Sequence, residues 1–290
     1  MSNIIENKTI YFTYKKKVPE KVFNRWTKLN PSYSVDFSLD NDCIIFLEKH
    51  FGNKIANIFL NIKAGMFKAD LWRLCKLYIH GGVYSDVDIV PYIQLNSLYK
   101  DVSFYSCLSM KKGSIFQAFM YTKKKNPIIL CCIICFILNK AYTIPNGPTY
   151  DMYNCIKNSI GDIDINSEIK YKIKTVKIPI TVGYSDKNLK IIDLFYFPKN
   201  IKYKIKVKKN QFPDKFIFKI HENKLYVIRT DQDSGWGQVL KIDICIKSEE
   251  CIYLFQENCG KTWVDSYVVH KGNKIFDSRD LEYYKNGFKW

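Results

Sequence analysis

Two carboxylates one residue apart, Asp86 and Asp88, follow a helix-like segment carrying an acid and a base three residues apart, Asp70 and Arg73. Adjacent carboxylates repel, and burial raises their proton affinity. A hard divalent cation with oxygen ligands removes that conflict. A cation held there can itself hold a diphosphate, which points to an enzyme acting on a nucleotide-linked substrate. An Asp-x-Asp alone is a weak sign, because metal sites need more than two ligands. The plain rival for Asp70 and Arg73 is a surface helix pair contributing roughly a few tenths of a kcal/mol. The combination of the two features is much rarer than either.

The surrounding residues predict the elements that position this set. Phe67, Leu71, Leu74 and Tyr78 recur at helical spacing and form an apolar stripe on a helix expected over Asn57–His80. Asp70 and Arg73 share one face of it. Gly81-Gly82 ends the helix and lets the chain reverse. Val83 to Val90 has strand character until Pro91 stops it. In an extended segment residues i and i+2 point the same way, so Asp86 and Asp88 are expected on one side. Cys43–His50 reads as another helix, and Ser103–Leu108 and Phe116–Met120 as strands. Asn126-Pro127 opens an apolar helix, Pro145–Pro148 is a turn, and Asp151 begins a further helix.

The stretch from Ala69 to Asp88 resembles the signature of glycosyltransferase family 32, the sugar transferases that include Och1-like mannosyltransferases and capsular polysaccharide enzymes. It is also similar, distantly, to the catalytic domains of clostridial glucosylating toxins. The matching residues are Ala69-Asp70, Arg73, Gly81-Gly82-Val83-Tyr84 and Asp86-Val87-Asp88. Ile10–Tyr14 stands where the family has its first strand, Trp26 with Asn30-Pro31 and Tyr33 matches its W…NP.Y region, and Asn146-Gly147-Pro148 resembles a later Thr-Gly-Pro with Asn for Thr. The match covers about residues 8–195. It implies an α/β, GT-A-type nucleotide-diphospho-sugar transferase fold, dependent on Mn²⁺ or Mg²⁺ and transferring sugar with retention. Under that resemblance Asp88 binds the metal directly, and Asp86 supports the metal and contacts the ribose. Asp70 and Arg73 hold donor-sugar hydroxyls, so these four carry the catalytic role. Tyr11, Phe12 and Thr13 lie near base and ribose, although aromatic strand residues are usually core. Tyr84 belongs with the donor-binding residues, and Asn146 and Gly147 join them unless they form a plain turn. Retaining chemistry of this kind needs no protein nucleophile, and no catalytic base is assigned. The implied partners are a nucleotide-sugar donor (UDP- or GDP-linked) and a glycan or glycoprotein acceptor. The alternatives are a toxin-like transferase acting on a protein, and a non-catalytic carbohydrate-binding protein on the same fold.

Composition bounds the remainder. With 290 residues, 47% hydrophobic and 16% aromatic, the chain can bury a sizeable core and is not a disordered protein. The net charge of +17 is spread over lysines along the whole chain, and no zinc-finger, RNA-recognition or helix-turn-helix pattern accompanies it. A solvated lysine-rich surface is therefore expected, with no nucleic-acid partner. The bias toward Lys, Asn, Ile, Tyr and Phe suits an AT-rich genome such as that of a large virus. A polar start predicts no signal peptide, and no apolar run is long enough to span a bilayer, so a cytoplasmic setting (host cytoplasm, or virion) is expected. Ten cysteines without secretion predict reduced thiols; the Cys132-x-x-Cys135 pair lies in an apolar run and reads as buried helix. Composition shifts near residue 200. Short alternating strands at Phe216–Ile220, Leu225–Arg229, Val239–Ile244 and Cys251–Phe255 predict a C-terminal all-β, sandwich-like domain over 201–290, after a transferase domain over 1–200. Trp236 and Trp263 are candidates there for stacking on a sugar, or for turn packing.

Overall fold

Alternating apolar side chains along short strands divide the interior into two cores, one on each face of a large mixed sheet. The computed structural model describes residues 7–98, 101–161, 163, 169–184, 190–193, 202–208, 216–221, 224–229, 238–258, 266–277 and 279. In chain order the first half holds β1 (Thr9–Thr13), α1 (Lys21–Leu29), β2 (Ser34–Ser38), α2 (Asp40–Phe51), α3 (Asn53–Asn61), α4 (Gly65–His80), β3 (Gly82–Ser85), β4 (Val90–Pro91), β5 (Phe104–Leu108), β6 (Ile115–Thr122), α5 (Pro127–Leu138) and α6 (Gly147–Ile160). Strands follow: β7 (Ile169–Tyr184), β8 (Lys190–Asp193), β9 (Tyr203–Val207), β10 (Phe216–His221), β11 (Lys224–Arg229), β12 (Gln238–Asn258), β13 (Tyr267–His270) and β14 (Asn273–Asp277).

The main sheet runs β2-β1-β3-β6-β5-β12-β13-β14-β4, with β7 and β9 also paired to β12. β1 is parallel to β2 and β3, and β12 is parallel to β5; the other pairs are antiparallel. The period of two is visible in β3, where Val83 enters one core and Tyr84 the other. The Tyr84 side packs against α2 to α6, and the Val83 side against α1, the 87–98 segment and the β13–β14 hairpin. The fold is thus mixed α/β, with helices on both faces of the sheet.

Several elements differ from the expectation. The helix expected over 57–80 is two helices, because Ile62 is extended and the chain re-enters helix at Gly65. Helix α6 starts at Gly147, not Asp151, with Asn146 in the left-handed region at its cap. Asn126 caps α5 as expected, its side chain accepting from the Ile128 N–H at 2.9 Å. Gly81 and Gly82 end α4 as read: both have positive φ, and a Cβ on Gly81 would sit 2.6 Å from the Lys124 backbone nitrogen.

The region past residue 200 is all β among the described residues, but it does not stand apart. The two strands expected near 239–244 and 251–255 are one strand, β12, with a register shift between Lys247 and Glu250. It pairs with β7 from Gln238 to Leu254; its first half also pairs with β9, and its second half lies beside β5 in the main sheet. Only β10 and β11 form a second sheet, with β8, and Leu225 and Val227 of β11 share a core with Ile242 and Ile244. That stacking is sandwich-like, yet the sheet is continuous across residue 200, because β12 is long enough to serve both halves. Trp236 and Trp263 lie outside the described residues. On β9 the apolar residues Ile205 and Val207 face inward while Lys204, Lys206 and Lys208 are exposed, as the solvated-surface reading requires.

A chain ending at residue 200 would leave β5 as an open edge and β7 without its long antiparallel partner. Such a fragment is expected to aggregate and show no cooperative thermal transition by circular dichroism, whereas the full chain melts cooperatively. A soluble, cooperatively melting fragment would show β12 to be dispensable.

Candidate functional site

The Asp-x-Asp is not extended. Strand β3 ends at Ser85, and the Ile89 N–H reaches back to the Asp86 carbonyl at 3.3 Å, closing a turn over 86–89. The alternation argument therefore holds for Asp86, two residues after Tyr84, but not for Asp88, whose direction the turn sets. Asp86 remains tied to the sheet through its N–H, which donates to the Ala118 carbonyl of β6 at 2.8 Å. The Tyr84 hydroxyl donates to Asp86 Oδ1 at 2.6 Å and aims that carboxylate toward α4.

Arg73, buried on α4, is the hub. Its Nη2 lies 3.3 Å from Asp70 Oδ1 and 3.3 Å from Asp86 Oδ1. Its Nη1 donates to the Gln117 carbonyl at 2.7 Å and its Nε to the Ala69 carbonyl at 3.2 Å. The guanidinium stacks 4.4 Å from the Tyr84 ring centre. Desolvation opposes the charge on Arg73, but Asp86, Tyr84, Asp70 and Asp88 together hold its proton more tightly than usual. Three carboxylates thus act on the Arg73 guanidinium, and carboxylate oxygens are the ligand type that a hard divalent ion takes. This is a fit of the residues to the metal that the family resemblance implies.

A second observation concerns a residue that the motifs do not reveal. Gln117 of β6 is buried, and its Nε2 donates to the Pro148 carbonyl at 2.8 Å. Its Oε1 is buried with no hydrogen-bond partner among the described residues. An orphaned buried acceptor costs about 1–3 kcal/mol and calls for a donor. Gln117 joins α6 to Arg73, its side chain bonding Pro148 and its carbonyl accepting from Arg73, so Asn146 and Gly147 at the start of α6 belong to the same neighbourhood. Gly147 packs so closely that a Cβ would meet the Ala141 carbonyl oxygen at 2.2 Å. No signal in the sequence marks Gln117, because its neighbours come from β6, α4 and α6.

The expected nucleoside residues divide differently. Tyr11 packs into the core formed with α2 to α6 and Phe12 into the opposite one, beside Phe23 and Trp26 of α1. Thr13 donates to the Ser38 carbonyl at 2.9 Å. What β1 offers the site is its end, since Tyr11 pairs in parallel with Tyr84 and both strands run out on the same side. The W…NP.Y residues brace the segment after the turn. Trp26 stacks on Phe119, Asn30 Oδ1 accepts from the Leu95 N–H at 2.7 Å, and the Tyr33 hydroxyl donates to Asn96 at 3.0 Å. On its other side β4 pairs with β14, and the Tyr92 hydroxyl bonds Asp277.

Burial pushes the Asp70 carboxyl up to about 6, Arg73 pulling it down and Asp86 adding to the rise. The native state therefore holds this proton more tightly than the unfolded chain. Stability from this group is fully present below pH 3.8 and is lost as the pH rises through about 6. The loss is on the order of 3 kcal/mol. Asp70→Asn cannot ionise, so between about pH 4 and about pH 7 its stability should gain on wild type by roughly that amount in chelator-treated denaturant melts. A constant gap would show Asp70 ionised throughout. Arg73→Met leaves Asp70 and Asp86 uncompensated, with an expected loss of about 3–5 kcal/mol in the same assay at about pH 7.

Residues 17–105 match the family model described as a glycosyltransferase sugar-binding region containing a DXD motif, the family type that the Ala69–Asp88 signature suggests. Over 93 residues the chain is 29% identical to the initiation-specific alpha-1,6-mannosyltransferase of Candida albicans (strain SC5314 / ATCC MYA-2876). That stretch is 29% of this chain and 24% of the relative, so the chain spans about a quarter of that relative's length. Among solved structures, the PaToxG glycosyltransferase aligns with a TM-score of 0.42 at 18% identity, over 53% of this chain and 70% of that one. No described helix is long and apolar enough to cross a membrane.

Proposed function

We propose that this chain, which carries a DXD-containing glycosyltransferase region over residues 17–105, is a metal-dependent GT-A-type transferase moving a sugar from a nucleotide-diphospho-sugar to a glycan acceptor with retention. The observation that carries the reading is Arg73 held between Asp70 and Asp86 beside the Asp86–Asp88 turn. A helix, a strand end and a turn converge there on three carboxylates. The name of the Candida relative, a mannosyltransferase, favours a hexose donor.

In this reading Asp86 and Asp88 hold Mn²⁺ or Mg²⁺, and the bound ion supplies Lewis-acid neutralisation of the departing diphosphate. Asp70 and the Gln117 Oε1 accept from hydroxyls of the donor sugar and fix its orientation. Arg73 has most of its N–H groups committed within the protein. It acts chiefly by fixing the carboxylates, and its charge lowers the cost of building negative charge nearby. Thr13, at the end of β1, flanks the nucleoside, and the start of α6 at Asn146–Gly147 borders the donor. Residues 1–200 supply these groups. The later strands brace the turn through β14.

The test is release of UDP or GDP from a panel of nucleotide sugars, with Mn²⁺ or EDTA, for wild type and Asp88→Asn. Release from one donor that requires Mn²⁺ and falls at least roughly a hundredfold in the variant is expected. Wild-type protein that neither binds nor turns over any donor would overturn the reading.

A further inference from the structure

Three thiols that the proposed transfer does not use meet where α5 packs on α6, and a fourth, Cys132, follows Cys131 on α5. Cys131 and Cys135 are four residues apart and share one face of α5. Cys155 of α6 stands opposite them, and the three sulfur atoms lie within 4.8 Å of one another. The Cys155 thiol also interacts with that of Cys132. All four are buried and none forms a disulfide.

In a tetrahedral thiolate site with metal–sulfur bonds of about 2.3 Å, sulfurs stand about 3.8 Å apart. The trio needs only a small inward adjustment to close on one ion. The elements are built to hold such a site: α5 is pinned at its start by the Asn126 cap, and α6 is wedged by the close fit of Gly147 on Ala141. The trio offers sulfur alone, which selects soft or borderline d¹⁰ ions over the hard cation suited to Asp86 and Asp88. The ordinary alternative is four small apolar side chains filling a core. That alternative requires no convergence of sulfurs from two helices.

We propose that Cys131, Cys135 and Cys155, with Cys132 as the fourth ligand, form a structural site for a thiophilic d¹⁰ ion, zinc(II) foremost, that staples α6 to α5. Binding releases the thiol protons to solvent and involves no redox step. The staple lies on the helix that begins at Asn146–Gly147 and bonds Gln117 through Pro148, so it fixes the wall of the transfer site from behind.

The full chain is unfolded in chelator, refolded, and titrated with Co²⁺. Thiolate ligands give a near-ultraviolet sulfur-to-cobalt charge-transfer band, and carboxylates such as Asp88 do not. The expected result is a band saturating at one Co²⁺ per chain, displaced by Zn²⁺. It should be weakened at least roughly tenfold in Cys155→Ala and Cys135→Ala and unchanged in Cys245→Ala, whose thiol lies elsewhere. Zn²⁺ should raise the melting temperature of wild type and of Asp88→Asn alike. Wild-type protein that refolds but gives no band, with a melting temperature indifferent to Zn²⁺, overturns the proposal. This holds even if the cysteine variants fail to fold. The band is independent of sugar transfer, so its loss and the loss of nucleotide release are separate outcomes.

Discussion

A buried guanidinium must be paired on every side, and Arg73 meets that demand with groups from different parts of the fold. Asp70 and Ala69 lie within its own helix, Asp86 follows β3, and the Gln117 carbonyl belongs to β6. Lysine would not serve, because a single ammonium cannot span two carboxylates and two carbonyls while lying flat on the Tyr84 ring. The positions of α4, β3 and β6 are thereby coupled to one planar group. Gln117 extends the coupling to α6, its side chain bonding the start of that helix while its carbonyl accepts from Arg73.

The segment after the carboxylates is held with equal care. A turn that carries repelling charges would open if its flanks were loose. Here Asn30 and Tyr33 fasten residues 95 and 96 from one side. On the other side β14 adds a strand to Val90 and Pro91. Trp26 and Phe119, stacked face to face, fill the core beneath. The residues resembling the family's W…NP.Y region therefore act on the site through the backbone, without entering it.

How much of this was legible depends on the range of the forces involved. The apolar stripe of α4, its glycine stop and the i,i+3 pair Asp70–Arg73 are local and were readable residue by residue. The turn at 86–89 was missed because Val and Ile there favour strands, while the pairing that would keep them extended ends at Ser85. The break at Ile62 left little trace in the sequence pattern, and the start of α6 was hidden by a Pro-Asn-Gly-Pro string that also reads as a turn. Gln117 and Cys155 acquire their neighbours only through tertiary packing. The alternating strands after residue 200 were seen as strands, but alternation carries no record of which sheet a strand joins. For β12 the deciding fact was its length, which the bulge near Ser248 disguised as two strands.

The parallel pairing of β12 with β5 has a consequence in time. Phe104 lies beside Ile252, so a strand made early waits for one made 148 residues later. At roughly 5–20 residues per second, that delay during synthesis is about 7–30 s. Through that interval the edge of β5, with Phe104 and Leu108 beside it, is exposed on a nascent chain whose earlier elements have already emerged. The ribosome-bound protein thus passes through a sticky stage that the finished one never revisits. Its yield in a cell would then depend on translation speed and chaperone supply as much as on the stability of the folded state.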